Sequence, residues 1–218
     1  MTSAGPAVRP MGAGEVGAVA DLHRRAFPSY ASTKLGAGYC RRMLRAYADR
    51  PGAWIDVAVG ADGRIIGYLV AAPPATQRAV DRALLPWAAL NAFRRPGDLV
   101  GNVRRFGGRI SRRRRAADAG PAAPGAVAGP PVGARQPPGA ATVRVVLVAV
   151  DAAARGQGGA DALLDAFART ARGRGHLGAD LSVAPGNGAA HGAYARNGWR
   201  PDGTGTRFTL DLSGPAAP

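Results

Sequence analysis

The 218-residue chain carries 29 lysine and arginine residues against 14 acidic ones, a formal net charge of +15, and a single cysteine. One cysteine excludes an internal disulfide framework and a cysteine zinc site. No apolar run reaches membrane-spanning length, and the N-terminus lacks the apolar core of a signal peptide. A single domain in the cytoplasm is expected.

Residues 7–11 read as an edge strand. Val16, Val19, Ala20, Leu22, His23 and Phe27 then mark an amphipathic helix that Pro28 stops. A second helix is expected from about residue 39 to residue 48, with Tyr39, Met43, Leu44 and Tyr47 at three- and four-residue spacing and Cys40 buried beside them. Residues 54–59, the turn 61–63 and residues 64–70 form a hairpin signal.

Residues 78–94 place Val80, Leu84, Trp87 and Leu90 at helical spacing, broken by Pro86, and residues 98–110 repeat the pattern with Leu99, Val103, Phe106 and Ile110. Residues 94–115 hold nine arginines against Asp98. From Ala116 to Ala141 the chain is alanine, glycine and proline with few large apolar groups, so a mobile loop, cut first by protease, is expected. Residues 73–141 thus read as an insertion, with helices over about 78–113 and the loop over about 116–141.

Val145, Val146, Leu147, Val148 and Val150 form a strand-like run, and Leu163, Leu164 and Phe167 share one face of a following helix. Between them Arg155, Gly156, Gln157, Gly158, Gly159 and Ala160 can turn the backbone tightly and aim several amides outward. Unpaired amides at a helix start, together with the positive end of its dipole, suit a phosphate. The dinucleotide pattern G-x-G-x-x-G and the P-loop pattern G-x-x-x-x-G-K-[ST] both fail: the third glycine is missing, and the only lysine is Lys34.

Arg155, Gly158 and Ala160 fill R-x-x-G-x-A, which resembles the acyl-CoA binding motif of the GNAT acyltransferase superfamily. Downstream, after strand-like residues 179–183, Asn187, Ala190, Tyr194, Gly198 and Trp199 match that superfamily's N-x-x-A-x-x-x-Y-x-x-x-G-F/W signature. The element order over residues 7–72 and 142–212 resembles it too. The resemblance implies an α/β (α+β) fold: one acyltransferase domain over 1–218, with a central mixed β-sheet flanked by helices and the basic insertion placed before the cofactor-binding strand.

It further implies an N-acetyltransferase passing an acetyl group from acetyl-CoA directly to a primary amine of a small molecule, with no metal. The loop amides from Arg155 to Ala160 would hold the pyrophosphate. The amides around Val148 and Val150 would hold the pantetheine arm and polarise the carbonyl. Tyr194 would protonate the leaving sulfur, and Asn187 would cap its helix and bond the cofactor or a water. Residues 27–36, FPSYASTKLG, resemble members that acetylate amino sugars.

Many relatives deprotonate the amine with a strand glutamate. Here the only glutamate is Glu15, in the first predicted helix. Asp151, Asp56, a water chain or an amine arriving neutral are the alternatives, and the base is left unassigned. His191 is read as a solvated helix residue. The arginines of the insertion are a solvated face or the mark of an acidic partner: an anionic acceptor, an anionic membrane surface around Trp87 and Phe106, or nucleic acid, for which no helix-turn-helix, zinc or RNP-like signature stands. A homodimer is compatible with the sequence. The competing readings are a degenerate acyl-CoA sensor or scaffold and a basic nucleic-acid-binding protein.

Overall fold

The computed structural model describes residues 5–93, 142–184 and 187–214. Seven strands form one sheet: β1 (Ala7–Pro10), β2 (Trp54–Val59), β3 (Ile65–Ala72), β4 (Thr142–Val150), β5 (Gly178–Ser182), β6 (Arg200–Pro201) and β7 (Arg207–Asp211), in the spatial order β1-β2-β3-β4-β5-β7-β6. Only β4 and β5 run parallel, and every other neighbouring pair is antiparallel. The sheet is mixed and flanked by helices, as expected.

Helices α1 (Val16–Ala26), α2 (Ala31–Lys34), α3 (Ala37–Ala48) and α4 (Pro74–Phe93) follow in the first half, and α5 (Gly159–Gly173) and α6 (Gly188–Arg196) in the second. One face of the sheet is covered by Val19, Leu22, Cys40, Leu44, Val80 and Leu84 from α1, α3 and α4. The other is covered by Leu163, Leu164, Phe167 and Tyr194 from α5 and α6. Each buried Leu or Phe of these layers is stabilised by about 1.5–3 kcal/mol through removal of apolar surface from water. Phe167 is stacked between Trp54 and Trp199, at 5.8 Å from each ring.

α1 ends before Pro28, as its sequence dictates. α4 corrects an expectation: Pro86 does not break it, and the helix runs on to Phe93. Pro86 is exposed and removes the donor that the Arg82 carbonyl would take, a cost of about 3 kcal/mol that the rest of the helix absorbs. The expected helix over residues 98–110, the basic run 94–115 and the loop 116–141 lie outside the described residues.

β4 carries a bulge. Val70 pairs with Leu147 while Ala71 pairs with Val145, leaving Val146 as the extra residue. Strict alternation would send Val146 and Leu147 to opposite faces, yet both pack against the α1/α3 layer, and Val148 returns to the α5 layer.

Candidate active site

β4 pairs with β5 only from Thr142 to Val145. Residues 146–150 continue beyond that ladder, and among the described residues no strand lies on their β5 side. The direction of their amides follows from one hydrogen bond. Asp151 donates to the Ile66 carbonyl of β3 at 2.7 Å. Backbone groups alternate sides along an extended chain, so Ala149 and Leu147 also face β3, while the N–H groups of Val148 and Val150 point into the opening between β4 and β5.

At the outer end of this opening the chain turns through the 3-10 segment Ala152–Ala154 into α5. Gly156 and Gly158 have φ of 79° and 77°, a left-handed conformation that side-chain-bearing residues rarely adopt. Gly158 is the residue before α5 and offers no side-chain cap, so the first-turn amides of Gly159, Ala160 and Asp161 have neither an intrahelical acceptor nor a capping oxygen on that residue. Arg155, Gly156, Gln157 and Gly158 are exposed. The Asp161 carboxylate, which would compete with a bound anion, is held aside: Asn197 at the end of α6 donates to it at 2.7 Å, and Arg196 pairs with it at 3.5 Å.

α6 presents Tyr194. Asn187 caps this helix, its Oδ1 accepting from the Ala190 amide at 3.2 Å. The Tyr194 ring is buried against Phe208 and Trp199, at 5.3 and 6.2 Å. Burial foremost, and then the Tyr30 phenol, push the Tyr194 hydroxyl up to about 12, so it is protonated at neutral pH. His191 differs from its reading as a solvated residue: it stands edge-on to Phe208 at 5.2 Å, and its Nε2 is buried without a hydrogen-bond partner.

Tyr30, from the turn between α1 and α2, stacks on Phe27 at 4.4 Å. Behind it His23 is fully buried, its Nδ1 2.6 Å from the Tyr68 hydroxyl and its Nε2 2.8 Å from the Ser32 hydroxyl. Burial lowers the imidazole to about 4, so the ring is neutral at pH 7. In the sequence His23 stands on an apolar helix face and nothing at Tyr30 itself marks it. The helix-stop Phe27-Pro28, which folds Tyr30 back over α1, was the available signal.

Of the two aspartates weighed as a base, Asp151 is ion-paired, whereas Asp56 is buried with its Oδ2 unpartnered; Glu15, the only glutamate, is ion-paired too. Asp151 accepts from the Arg25 guanidinium at 2.8 Å and from the Ala153 amide at 3.2 Å, and these bonds, the Arg25 bond foremost, hold its carboxyl below the usual range. Asp56 faces the α5 layer beside Trp54, where burial raises it. Glu15 is gripped by Arg9 at 2.6 Å and by the Gly12 amide at 2.7 Å, which, Arg9 first, bring it to about 2. Among the described residues no group of three or more His, Cys, Asp or Glu stands together to hold a metal ion.

Residues 125–199 match the Acetyltransferase (GNAT) family. No curated protein matches the chain. Among solved structures, the chain is similar to a histone acetyltransferase HPA2 and related acetyltransferase from Corynebacterium glutamicum, at 19% identity and TM-score 0.56 over 98% of this chain and 100% of that one. An N-acetyltransferase from Staphylococcus aureus superposes with TM-score 0.58 at 14% identity, over 96% and 99%. A GNAT family acetyltransferase from Brucella melitensis, solved in complex with acetyl-CoA, does so with TM-score 0.51 at 16% identity, over 97% and 90%. The chain therefore has the fold of these acetyltransferases, and within it residues 125–199 match the model of the Acetyltransferase (GNAT) family.

Proposed function

We propose that the protein is an acyl-CoA-dependent N-acetyltransferase that transfers an acetyl group from acetyl-CoA directly to a primary amine of a small molecule. The observation that carries this reading is the opening between β4 and β5. It has the inward amides of Val148 and Val150 along one side and the uncapped start of α5 at its outer end, to whose first turn α6, the carrier of the protonated Tyr194, is tied by the Asn197–Asp161 hydrogen bond. The amides of residues 155–160 would take the pyrophosphate, and Asn187 would fix the helix that carries the acid.

In the reaction the amine nitrogen attacks the thioester carbon and forms the C–N bond. Negative charge develops on the carbonyl oxygen, where the amide of Val148 or Val150 stabilises it. Collapse breaks the C–S bond, and Tyr194 donates its phenolic proton to the departing sulfur. The nitrogen's surplus proton leaves to solvent and the tyrosinate is reprotonated from solvent. No base is assigned, since Asp151 and Glu15 are ion-paired and Asp56 lies on the α5 face, so the acceptor is one that reacts as the neutral amine.

Calorimetric titration with acetyl-CoA, followed by a thiol-release screen of amino sugars, polyamines, amino acids and peptides, tests the reading. Tight acetyl-CoA binding with amine-dependent thiol release is expected. Binding without release for any amine would favour a sensor or scaffold, a reading that the lack of a strand glutamate supports. Salt-steep duplex DNA binding without acetyl-CoA binding would favour the nucleic-acid alternative.

A further inference from the structure

From Ala83 to Leu90 the chain reads ALLPWAAL, with no polar side chain. This segment forms the outer part of α4. A helix that is apolar all round is normally enclosed by other elements. Here Leu84 alone of the eight is buried, while Leu85 is 63% exposed, Leu90 42% and Trp87 39%. The other exposed large hydrophobic residue among those described is Leu177, so the exposed apolar surface is concentrated on this half-helix.

The rim of the patch is basic. Arg41, Arg42 and Arg45 of α3 and Arg78 and Arg82 of α4 are exposed, against Asp49 and Asp81. The Arg42 guanidinium lies over the Trp87 ring at 3.5 Å, joining the two helices at the edge of the patch. The chain leaves α4 at Phe93 and enters residues 94–115, with nine arginines against Asp98. Five exposed arginines against two aspartates leave this surface positive, so charge complementarity selects an anionic partner rather than a second copy of the same face.

We propose that the outer half of α4 is a peripheral docking site for anionic membrane surfaces. Leu85 and Leu90 enter the boundary between headgroups and acyl chains, Trp87 sits at headgroup level, and the arginines of α3 and α4 pair with lipid phosphates. None of the described helices is long and apolar enough to cross a membrane, so α4 lies on the surface and does not span it. The patch is separate from the opening between β4 and β5, and this inference does not rest on the proposed activity.

The test is co-sedimentation of the full chain with phosphatidylglycerol–phosphatidylcholine vesicles and with pure phosphatidylcholine vesicles. Binding to the anionic vesicles alone is expected, weakened by salt, with a blue shift of tryptophan emission. That shift reports Trp87, because Trp54 and Trp199 are buried. The paired Leu85→Ser and Leu90→Ser variant, changed at exposed positions, should lose about tenfold or more in partitioning. The paired Arg41→Gln and Arg45→Gln variant should bind the anionic vesicles more weakly and with a shallower salt dependence. Absence of binding to anionic vesicles, equal binding to both vesicle types, or unchanged binding by the serine variant would overturn the proposal. So would a dimer in sedimentation velocity that the serine substitutions dissolve while vesicle binding stays absent.

Discussion

Arg144 and Asp180 stand directly opposite each other on β4 and β5, one step before those strands part, and join through two hydrogen bonds of 2.9 and 2.5 Å. Arg207 of β7 reaches the same carboxylate, which is 2% exposed. Three strands are tied together at the base of the opening between β4 and β5.

Removing Asp180 leaves two arginines facing each other in a largely dry place. Asp180→Ala should cost about 3–5 kcal/mol, read as a fall in the urea midpoint, because a broken buried ion pair strands its partner. Burial by itself would raise this carboxyl, yet Arg144 and Arg207 hold it below its ordinary value. Its stabilising effect is therefore present above the unfolded carboxylate range and lost as pH falls through the lower folded value. Asp180→Asn should flatten that acid limb.

Tyr194→Phe should lower kcat by about a hundredfold or more and leave acetyl-CoA affinity unchanged in calorimetry. A phenol pushed up to about 12 stays protonated across the assay range, so wild-type kcat should show no alkaline fall from this group until pH approaches that value. An unchanged kcat in the variant would remove Tyr194 as the acid.

The glycines of the turn should respond differently. A side chain at Gly158, where φ is 77°, forces a left-handed residue and should cost about 1–2 kcal/mol, with weakened acetyl-CoA binding. At Gly159 an added Cβ would meet the Val150 side chain at 3.5 Å, an ordinary contact, in a helix where alanine is preferred. Gly159→Ala should match or exceed wild type in thermal stability.

His23 gives the fold a second dependence on acid. Burial lowers its imidazole from 6.5 to about 4, so below pH 6.5 the unfolded chain takes up a proton that the folded one refuses. Stability is full above 6.5 and falls toward pH 4, by about 3 kcal/mol if His23 alone is counted. A His23→Gln variant should lose this slope in denaturant titrations at stepped pH.

Much of this was legible from residue order alone. Alternation and helical spacing located β2, β3, α1 and α3 to within two residues, and the two motifs drew attention to the turn at Gly158 and to Tyr194. Other features required three dimensions. The bulge at Val146 cannot be read from the run of six apolar residues over 145–150, because either face accepts any of them. Arg25 and Asp151 are 126 residues apart, and no local pattern announces their pairing. The environments of His23 and Asp56 likewise depend on which elements cover them, and Pro86 is tolerated only because the rest of α4 absorbs its cost.

Ala72 at the end of β3 pairs with Arg144 near the start of β4, so the chain departs and returns at neighbouring points of one edge. Closing a longer excursion between two such points costs only with the logarithm of its length, about 0.6 kcal/mol per doubling. The hairpin can thus accept or exchange a large appendage while the strands beneath keep their register. New surface chemistry can be acquired there without renegotiating the strands that frame the opening between β4 and β5.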